Sequence, residues 1–270
     1  MKMLKRILTI TMFSILSFSM VSCSTGSKKP KIQVFLLAGQ SNMTGLGSTK
    51  DLTTEQINPK TNVLAYADGQ YYDPKYACIM ARLSAHLGTQ FGPELTFGLE
   101  MEKAYPKANI ALIKWSYGAT GLADNWNPDG TGDCYEKFKQ TVLTQMEALK
   151  EKYDPVIIGM IWMQGENDAS YPDQAKEYEK NLRHFFERVK IDLNCPGIKI
   201  VIGRISDSEA WPYRNIVRPA QQKIAEEMPN TAWIDTDDLT RRDRFHYDTQ
   251  GQLILGERFS KAMIELLKNK

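Results

Sequence analysis

Ile32-Gln33-Val34-Phe35-Leu36-Leu37-Ala38-Gly39-Gln40-Ser41-Asn42-Met43 joins a nearly continuous apolar run to a polar turn. Ile32 to Ala38 has the length of a strand buried on both faces, as parallel strands are, and the run stops at Gly39. Ser41 is therefore expected at the carboxyl end of a strand, the edge at which open α/β sheets bind ligands. Gly39 allows a sharp bend and leaves room beside the backbone. Gly, Ser and Asn are also ordinary turn formers, so other parts of the chain must decide whether this turn does chemistry.

The far end of the sequence supplies what a serine needs. Asp243-Arg244-Phe245-His246 sets a carboxylate and an imidazole three residues apart, just ahead of a strongly apolar helical pattern. A serine hydroxyl is a weak nucleophile until a base takes its proton. The base in turn needs a carboxylate to fix its tautomer and stabilise its cation. Ser41, Asp243 and His246 provide the three parts in that chain order.

Between these two ends, apolar runs alternate with helical patterns. Val63–Ala67, Ile110–Trp115, Pro155–Met163, Ile198–Ile205 and Ala232–Ile234 read as further strands. Glu94–Tyr105, residues 135–152, the Ala175, Tyr178, Leu182, Phe185, Val189 series, Val217–Met228, and Leu255, Phe259, Ala262, Met263, Leu266 read as helices. Such alternation implies parallel crossovers and a three-layer α/β/α sandwich with a mostly parallel sheet. Gly45–Lys60, residues 68–93 and Ser116–Asp133 are long polar loops. Loops of that length inside a compact domain are usually functional, which places them over the active-site edge.

The chain has 270 residues and 42% hydrophobic content, enough for one α/β domain and too little for two large ones. The amino terminus reads as an export signal over residues 1–22. Lys2, Lys5 and Arg6 precede an apolar stretch, Ile7–Val21, too short to span a bilayer comfortably. Met20-Val21-Ser22-Cys23 resembles the lipobox of bacterial lipoproteins, so Cys23 is the expected lipid attachment site. Residues 23–30 then form a tether, and residues 31–270 a single folded domain at the cell envelope. Processing of the precursor should accordingly be blocked by globomycin, and an unchanged pattern would exclude the lipoprotein. The formal charge of +2 includes three cations of the signal. The remainder is nearly balanced, with no basic stripe to suggest a nucleic-acid partner.

Three further cysteines remain, Cys78, Cys134 and Cys195, which permit at most one internal disulfide in an oxidising compartment. Cys78 and Cys134, both in polar loops, are the expected pair. The cysteine spacing fits no zinc site, and neither metal nor cofactor is expected.

Every strand feeding the catalytic edge ends in a short polar block, and together these blocks resemble the SGNH-hydrolase superfamily. Within it the resemblance is to the sialate O-acetylesterase and acetylxylan-esterase branch, carbohydrate esterase family 6-like. It rests on Gly39-Gln40-Ser41-Asn42-Met43, Phe91-Gly92-Pro93-Glu94, Gln164-Gly165-Glu166 and Asp243-x-x-His246, in order over nearly the whole mature chain. The resemblance implies a flavodoxin-like fold with a mostly parallel five-stranded sheet and hydrolysis of acetyl esters on sugars, with Ser41 as nucleophile, His246 as base and Asp243 as its partner. In the wider superfamily an asparagine helps bind the oxyanion, and here Gln164 occupies that block. The second block, commonly Gly-Gly-Thr, is Gly118-Ala119-Thr120 in this chain. The expected oxyanion donors are the amides of Ser41 and Gly118 and the Gln164 side chain.

Other residues carry competing readings. Gln40, Asn42 and Glu166 are candidates for supporting the site, Glu166 as an acid orienting His246 or Gln164 or as a bond to a loop backbone. Trp126 is a candidate to stack on a sugar or to anchor a loop. Glu94 suits the start of a helix. Asp235, Asp237 and Asp238 suit a solvated turn, His86 and His184 suit the surface, and Asp168 and Asp248 are spare triad acids. Rival functions are a lipid esterase or thioesterase of the same superfamily, glycoside cleavage by Glu94 and Glu166, and a non-catalytic sugar-binding lipoprotein.

Overall fold

The run at Ile32 is a central strand of a sheet covered by helices on both faces, which is why its side chains are apolar on both faces. The computed structural model describes residues 28–69, 81–83 and 89–269. The export signal, Cys23, most of the tether, Cys78 and His86 lie outside the described residues. Strands β1 (Lys31–Gly39), β2 (Gly47–Ser48), β3 (Leu64–Gly69), β4 (Ala81–Arg82), β5 (Gln90–Phe91), β6 (Asn109–Ser116), β7 (Asp154–Met163), β8 (Lys199–Gly203) and β9 (Thr231–Ile234) are interleaved with helices. These are α1 (Ser41–Thr44), α2 (Thr54–Ile57), α3 (Glu94–Ala104), α4 (Cys134–Lys150), α5 (Pro172–Asp192), α6 (Arg214–Glu227) and α7 (Thr249–Lys268).

The main sheet runs β4-β3-β6-β1-β7-β8-β9, with β2 and β5 forming a separate small ribbon. All neighbours in the main sheet are parallel except β4, which pairs antiparallel with β3. The six parallel strands are the six read from the sequence, one more than the five-stranded sheet the resemblance implies, and a two-residue antiparallel strand is added at one edge. Two residues are too few to show a period, so β4 leaves no trace in the hydrophobic pattern. Within Gly45–Lys60, read as loop, α2 is fixed by a capping box between Thr53 and Gln56.

Helices α3 and α7 cover one face of the sheet. Phe97 of α3 meets Phe35 edge-on at 5.5 Å, and Met263 and Phe259 of α7 approach Gly159 and Gly203. The other face is covered by α4, α5 and α6. There Trp162 packs on Phe185 at 4.4 Å, and Trp126 sits between Trp115, Phe138, Trp162 and Phe185. The three-layer α/β/α sandwich read from the alternation is the architecture found.

This topology makes the site. The connection leaving β1 runs to β3 on one side of the sheet, and that leaving β7 runs through α5 to β8 on the other. A crevice opens between their carboxyl ends, the place where such sheets bind ligands. Gly39 closes it from below. Its φ is 148°, and a Cβ there would lie 2.0 Å from the carbonyl oxygen of Met163. Only glycine allows β1 and β7 to stay this close while the chain turns toward Ser41.

Candidate functional site

Ser41 is the first residue of α1, directly beyond β1, and lines a cleft of about 340 Å³. Around it stand Gly118 and Ala119 from the loop after β6, Asn167 and Ser170 from the segment after β7, and Trp211, Phe245 and His246. The fold therefore brings Ser41 and His246, from opposite ends of the domain, to one crevice. The imidazole is held from behind: His246 Nδ1 lies 3.1 and 3.0 Å from the two carboxylate oxygens of Asp243. Asp243 Oδ1 also accepts the backbone N–H groups of Phe245 (2.7 Å) and His246 (2.8 Å). Burial would raise the Asp243 carboxyl, but its hydrogen bond to the His246 ring, these two amides and the charge of the nearby imidazole together hold it below the usual carboxylate range.

Asn42 welds the serine turn to the histidine loop. Its Nδ2 donates to Glu166 Oε1 (2.8 Å) and to the Phe245 carbonyl (3.1 Å), and its Oδ1 accepts from Tyr247 N (3.1 Å). Those contacts bracket His246 on both sides in sequence. Gln40 does the same for the third block, its Oε1 accepting from Gly165 N and Asn167 N at 3.5 and 3.3 Å. Both side chains are buried, so each bond is protected from water. Glu166 makes no hydrogen bond to His246; it holds Asn42, which grips the residues on either side of the histidine. It is fully buried, which raises its carboxyl, while the Asn42 bond and the neighbouring imidazole work the other way; Oε2 finds no hydrogen-bond partner among the described residues.

The turn is also held from the α3 side. Lys114, in the middle of β6, is 1% exposed, and its ammonium donates to the Thr44 carbonyl (2.9 Å) and to Glu94 Oε2. Glu94 Oε1 accepts from Gly92 N, so the Phe91-Gly92-Pro93-Glu94 block supplies a counter-ion to a lysine beneath Ser41. Burial lowers the lysine and Glu94 opposes it. Removing one member would strand the other charge, at about 3–5 kcal/mol. Neither Glu94 nor Glu166 lines the cleft, which leaves no facing pair of acids for glycoside cleavage among the described residues there.

Two site expectations are corrected. Gln164 is wholly buried, and its Nε2 is committed to the Thr120 carbonyl (3.0 Å) and to Asp168, while Tyr178 and Gln221 engage its oxygens. An amide so engaged has no hydrogen left for a ligand. Asn167, three residues on, lines the cleft instead. Trp126 is likewise 0% exposed, its Nε1 donating to Thr120 Oγ1 at 2.9 Å, and it belongs to the aromatic core. The tryptophan at the cleft is Trp211, packed 5.2 Å from Phe245.

The spare acids have structural work. Asp168 accepts Leu122 N, Ala123 N and Gln164, anchoring the loop that carries Gly118; burial outweighs those bonds and pushes its carboxyl up to about 6. Asp248 caps α7 through Gly251 N. Asp235, Asp237 and Asp238 are held by Arg204, Arg218 and Arg258, and Arg218 above all draws Asp237 down to about 2. His184 is exposed and pairs with Asp129. Cys134 and Cys195 are buried free thiols, raised by burial to about 12 and about 11, and Cys78, the other half of the expected pair, lies outside the described residues.

Ala119 has φ 55°, a left-handed conformation that disfavours a Cβ. Glycine in the related block is suited to it, and this chain accepts the strain at the cleft wall.

Residues 31–265 match the family described as carbohydrate esterase, sialic acid-specific acetylesterase. A probable carbohydrate esterase of Arabidopsis thaliana is 23% identical over 264 residues, covering 90% of this chain and 97% of that protein. Its crystal structure superposes with a TM-score of 0.71 at 22% identity, covering 87% of this chain and 99% of that one. NanS aligns at 15% identity with a TM-score of 0.67, over 90% of this chain and 100% of its own. A variant of Axe2, an acetyl xylan esterase from Geobacillus stearothermophilus, aligns at 15% identity with a TM-score of 0.51, over 87% and 96%. At these identities the superpositions show a shared fold.

Proposed function

The chain belongs to the carbohydrate esterase, sialic acid-specific acetylesterase family of carboxylic ester hydrolases, and from that premise we propose that it removes O-acetyl groups from carbohydrates by a Ser41, His246, Asp243 mechanism. The observation that carries this reading is that Ser41 and a histidine backed by Asp243 line one crevice. His246 takes the Ser41 proton as the hydroxyl oxygen attacks the acetyl carbonyl, and negative charge gathers on the carbonyl oxygen. Donors must be in place before that happens. The amides of Ser41 and Gly118 and the side chain of Asn167 are assigned that role. His246 then protonates the departing sugar hydroxyl, and water attacks the acetyl-enzyme by the same route in reverse.

Acetylated xylan and acetylated sialic acid are the substrate candidates, the former suggested by the likeness to Axe2 and the latter by the family. Acetate release should be measured over a panel of both, with p-nitrophenyl acetate as the generic ester; no release from any of them would remove the assignment. Attachment through Cys23 would place the enzyme at the bacterial cell envelope, with acetylated glycans as its partners.

The assignment of Asn167 separates from that of Gln164 by a paired experiment. Asn167→Ala is expected to lower kcat by about 10²- to 10³-fold with little change in KM. Gln164→Ala should instead cost about 1–3 kcal/mol of stability, because Thr120 and Asp168 lose a buried partner. A kcat loss confined to Gln164→Ala, in a protein melting at the parental temperature, would return the oxyanion role to Gln164.

A further inference from the structure

A second cleft, of about 470 Å³, opens at the same sheet edge on the β3 side, within the size range of small-ligand sites. Its wall is Tyr117, and Asp68, Gln140, Thr144 and Gln145 stand around it, with Trp115 below. Tyr117 is 44% exposed, one of few large aromatic side chains left in that state among the described residues, and stacks on Trp115 at 6.4 Å with 20° between the planes. Nothing in the hydrolysis itself requires these residues.

The position of the cleft ties it to Ser41. Gly39 of β1, Ser116 of β6 and Gly69 of β3 lie level across the sheet, so the three strands end together. Tyr117 follows that level directly, and Gly118 and Ala119, the next two residues, line the cleft of Ser41. The two hollows therefore share one wall. Two strand spacings, about 10 Å, separate the ends of β1 and β3. The wall is stiff: Thr120 Oγ1 donates to the Tyr117 carbonyl (2.6 Å) and accepts from Trp126, and Leu122 N and Ala123 N are held by Asp168.

The chemistry of the lining selects its ligand. An aromatic ring with an electron-rich face suits the polarised C–H face of a sugar ring, and carboxylate, amide and hydroxyl groups around it suit sugar hydroxyls. Asp68 is already oriented, accepting Gly69 N at 2.6 Å and Tyr66 Oη at 3.3 Å. We propose that this cleft is a carbohydrate subsite that binds a sugar residue of the same chain as the acetylated one, so that the preferred substrate is an acetylated oligosaccharide or polysaccharide rather than a lone acetylated sugar. The assignment rests on the esterase reading above.

The test is chain-length dependence of kcat/KM, measured with the full protein on acetylated xylo-oligosaccharides and on acetylated sialosides, each from one to four residues. The quantity read is the ratio between longer and single-residue esters, so any general fall in activity cancels. In the parent enzyme the ratio is expected to rise by about three- to tenfold, through KM, on at least one series. Tyr117→Ala and Gln145→Leu should each abolish that rise, and Tyr117→Phe, which keeps the ring, should retain it. A flat ratio on both series, or a rise that survives Tyr117→Ala and Gln145→Leu, overturns the subsite. Hydrolysis of p-nitrophenyl acetate by the parent reports separately on the esterase reading: if it is present while the ratios are flat, the subsite alone is lost.

Discussion

Ser41→Ala is expected to lower kcat for acetate release from p-nitrophenyl acetate by about 10⁴-fold or more while the protein melts where the parent does. The size of the effect follows from chemistry. Without the hydroxyl no acetyl-enzyme forms, and what remains is the contribution of the oxyanion donors and of binding. The absence of a stability effect follows from structure, because the turn is held by groups other than the Ser41 hydroxyl. It is fixed by Gln40 N on the Met163 carbonyl, by Met43 N and Thr44 N on the Gln40 carbonyl, and by Lys114 on Thr44. Alanine keeps the amide at position 41 and is well suited to the first turn of a helix. Undiminished hydrolysis by the purified variant, after contaminating esterases are excluded by the inactive-lysate control, would falsify the role given to Ser41.

What the sequence reveals of this site, and what it hides, divides along a physical line. Elements long enough to show a period are legible. The run from Ile32 becomes β1, and the helical series from Ala175 to Val189 becomes α5 with its apolar residues buried. Short pieces such as β4 and α2 have too few residues to repeat. Strand ends are legible for a related reason: a polar block after a buried strand has to lie at the carboxyl edge, so Ser41, Gly118 and Asn167 all arrive there. The direction in which one side chain of a block points is not legible. Gln164 continues the line of β7 into the interior, where Thr120 and Asp168 take its amide, and the chain turns at Gly165, φ 140°, before Asn167 reaches the cleft. An asparagine in the same block, in a superfamily where asparagine binds the oxyanion, is the sequence signal that points to Asn167 as a cleft residue.

The two tryptophans illustrate the same limit. Trp126 and Trp211 both follow loops rich in polar residues, yet one is enclosed by four aromatic rings and the other borders the cleft. Nothing local distinguishes them, because the difference lies in which helices pack overhead. Asn42 is legible as a neighbour of Ser41 but not as a weld. Its partners Glu166, Phe245 and Tyr247 are 124 to 205 residues away, a relation that only the folded sheet edge creates.

Asp243→Asn is expected to lower kcat by about 10⁴-fold, with the fold intact. The change is isosteric, and the amide oxygen of the new side chain can still accept the N–H groups of Phe245 and His246 that Asp243 Oδ1 now holds. Only the second atom differs. Where Oδ2 accepts from His246 Nδ1–H, an amide offers its own hydrogens, and the ring must turn Nδ1 into the acceptor. The proton then sits on Nε2, the nitrogen that has to receive the one from Ser41, and the base is blocked in its resting state. The imidazolium formed in the transition state also loses its counter-charge. Because the Asp243 carboxyl is held below the usual carboxylate range, it stays ionised as pH falls toward ordinary carboxylate values. Asp243→Ala should be less discriminating, since it also strands two backbone amides and should loosen the loop from Asp243 to Tyr247. Asp243→Asn therefore separates the electrostatic role from the structural one. If its kcat fell less than tenfold while melting was unchanged, the acid would be holding the loop rather than the charge, and another carboxylate would have to orient His246; Glu166, whose carboxyl feels the imidazole's charge, is the group that the Glu166→Gln variant would then test.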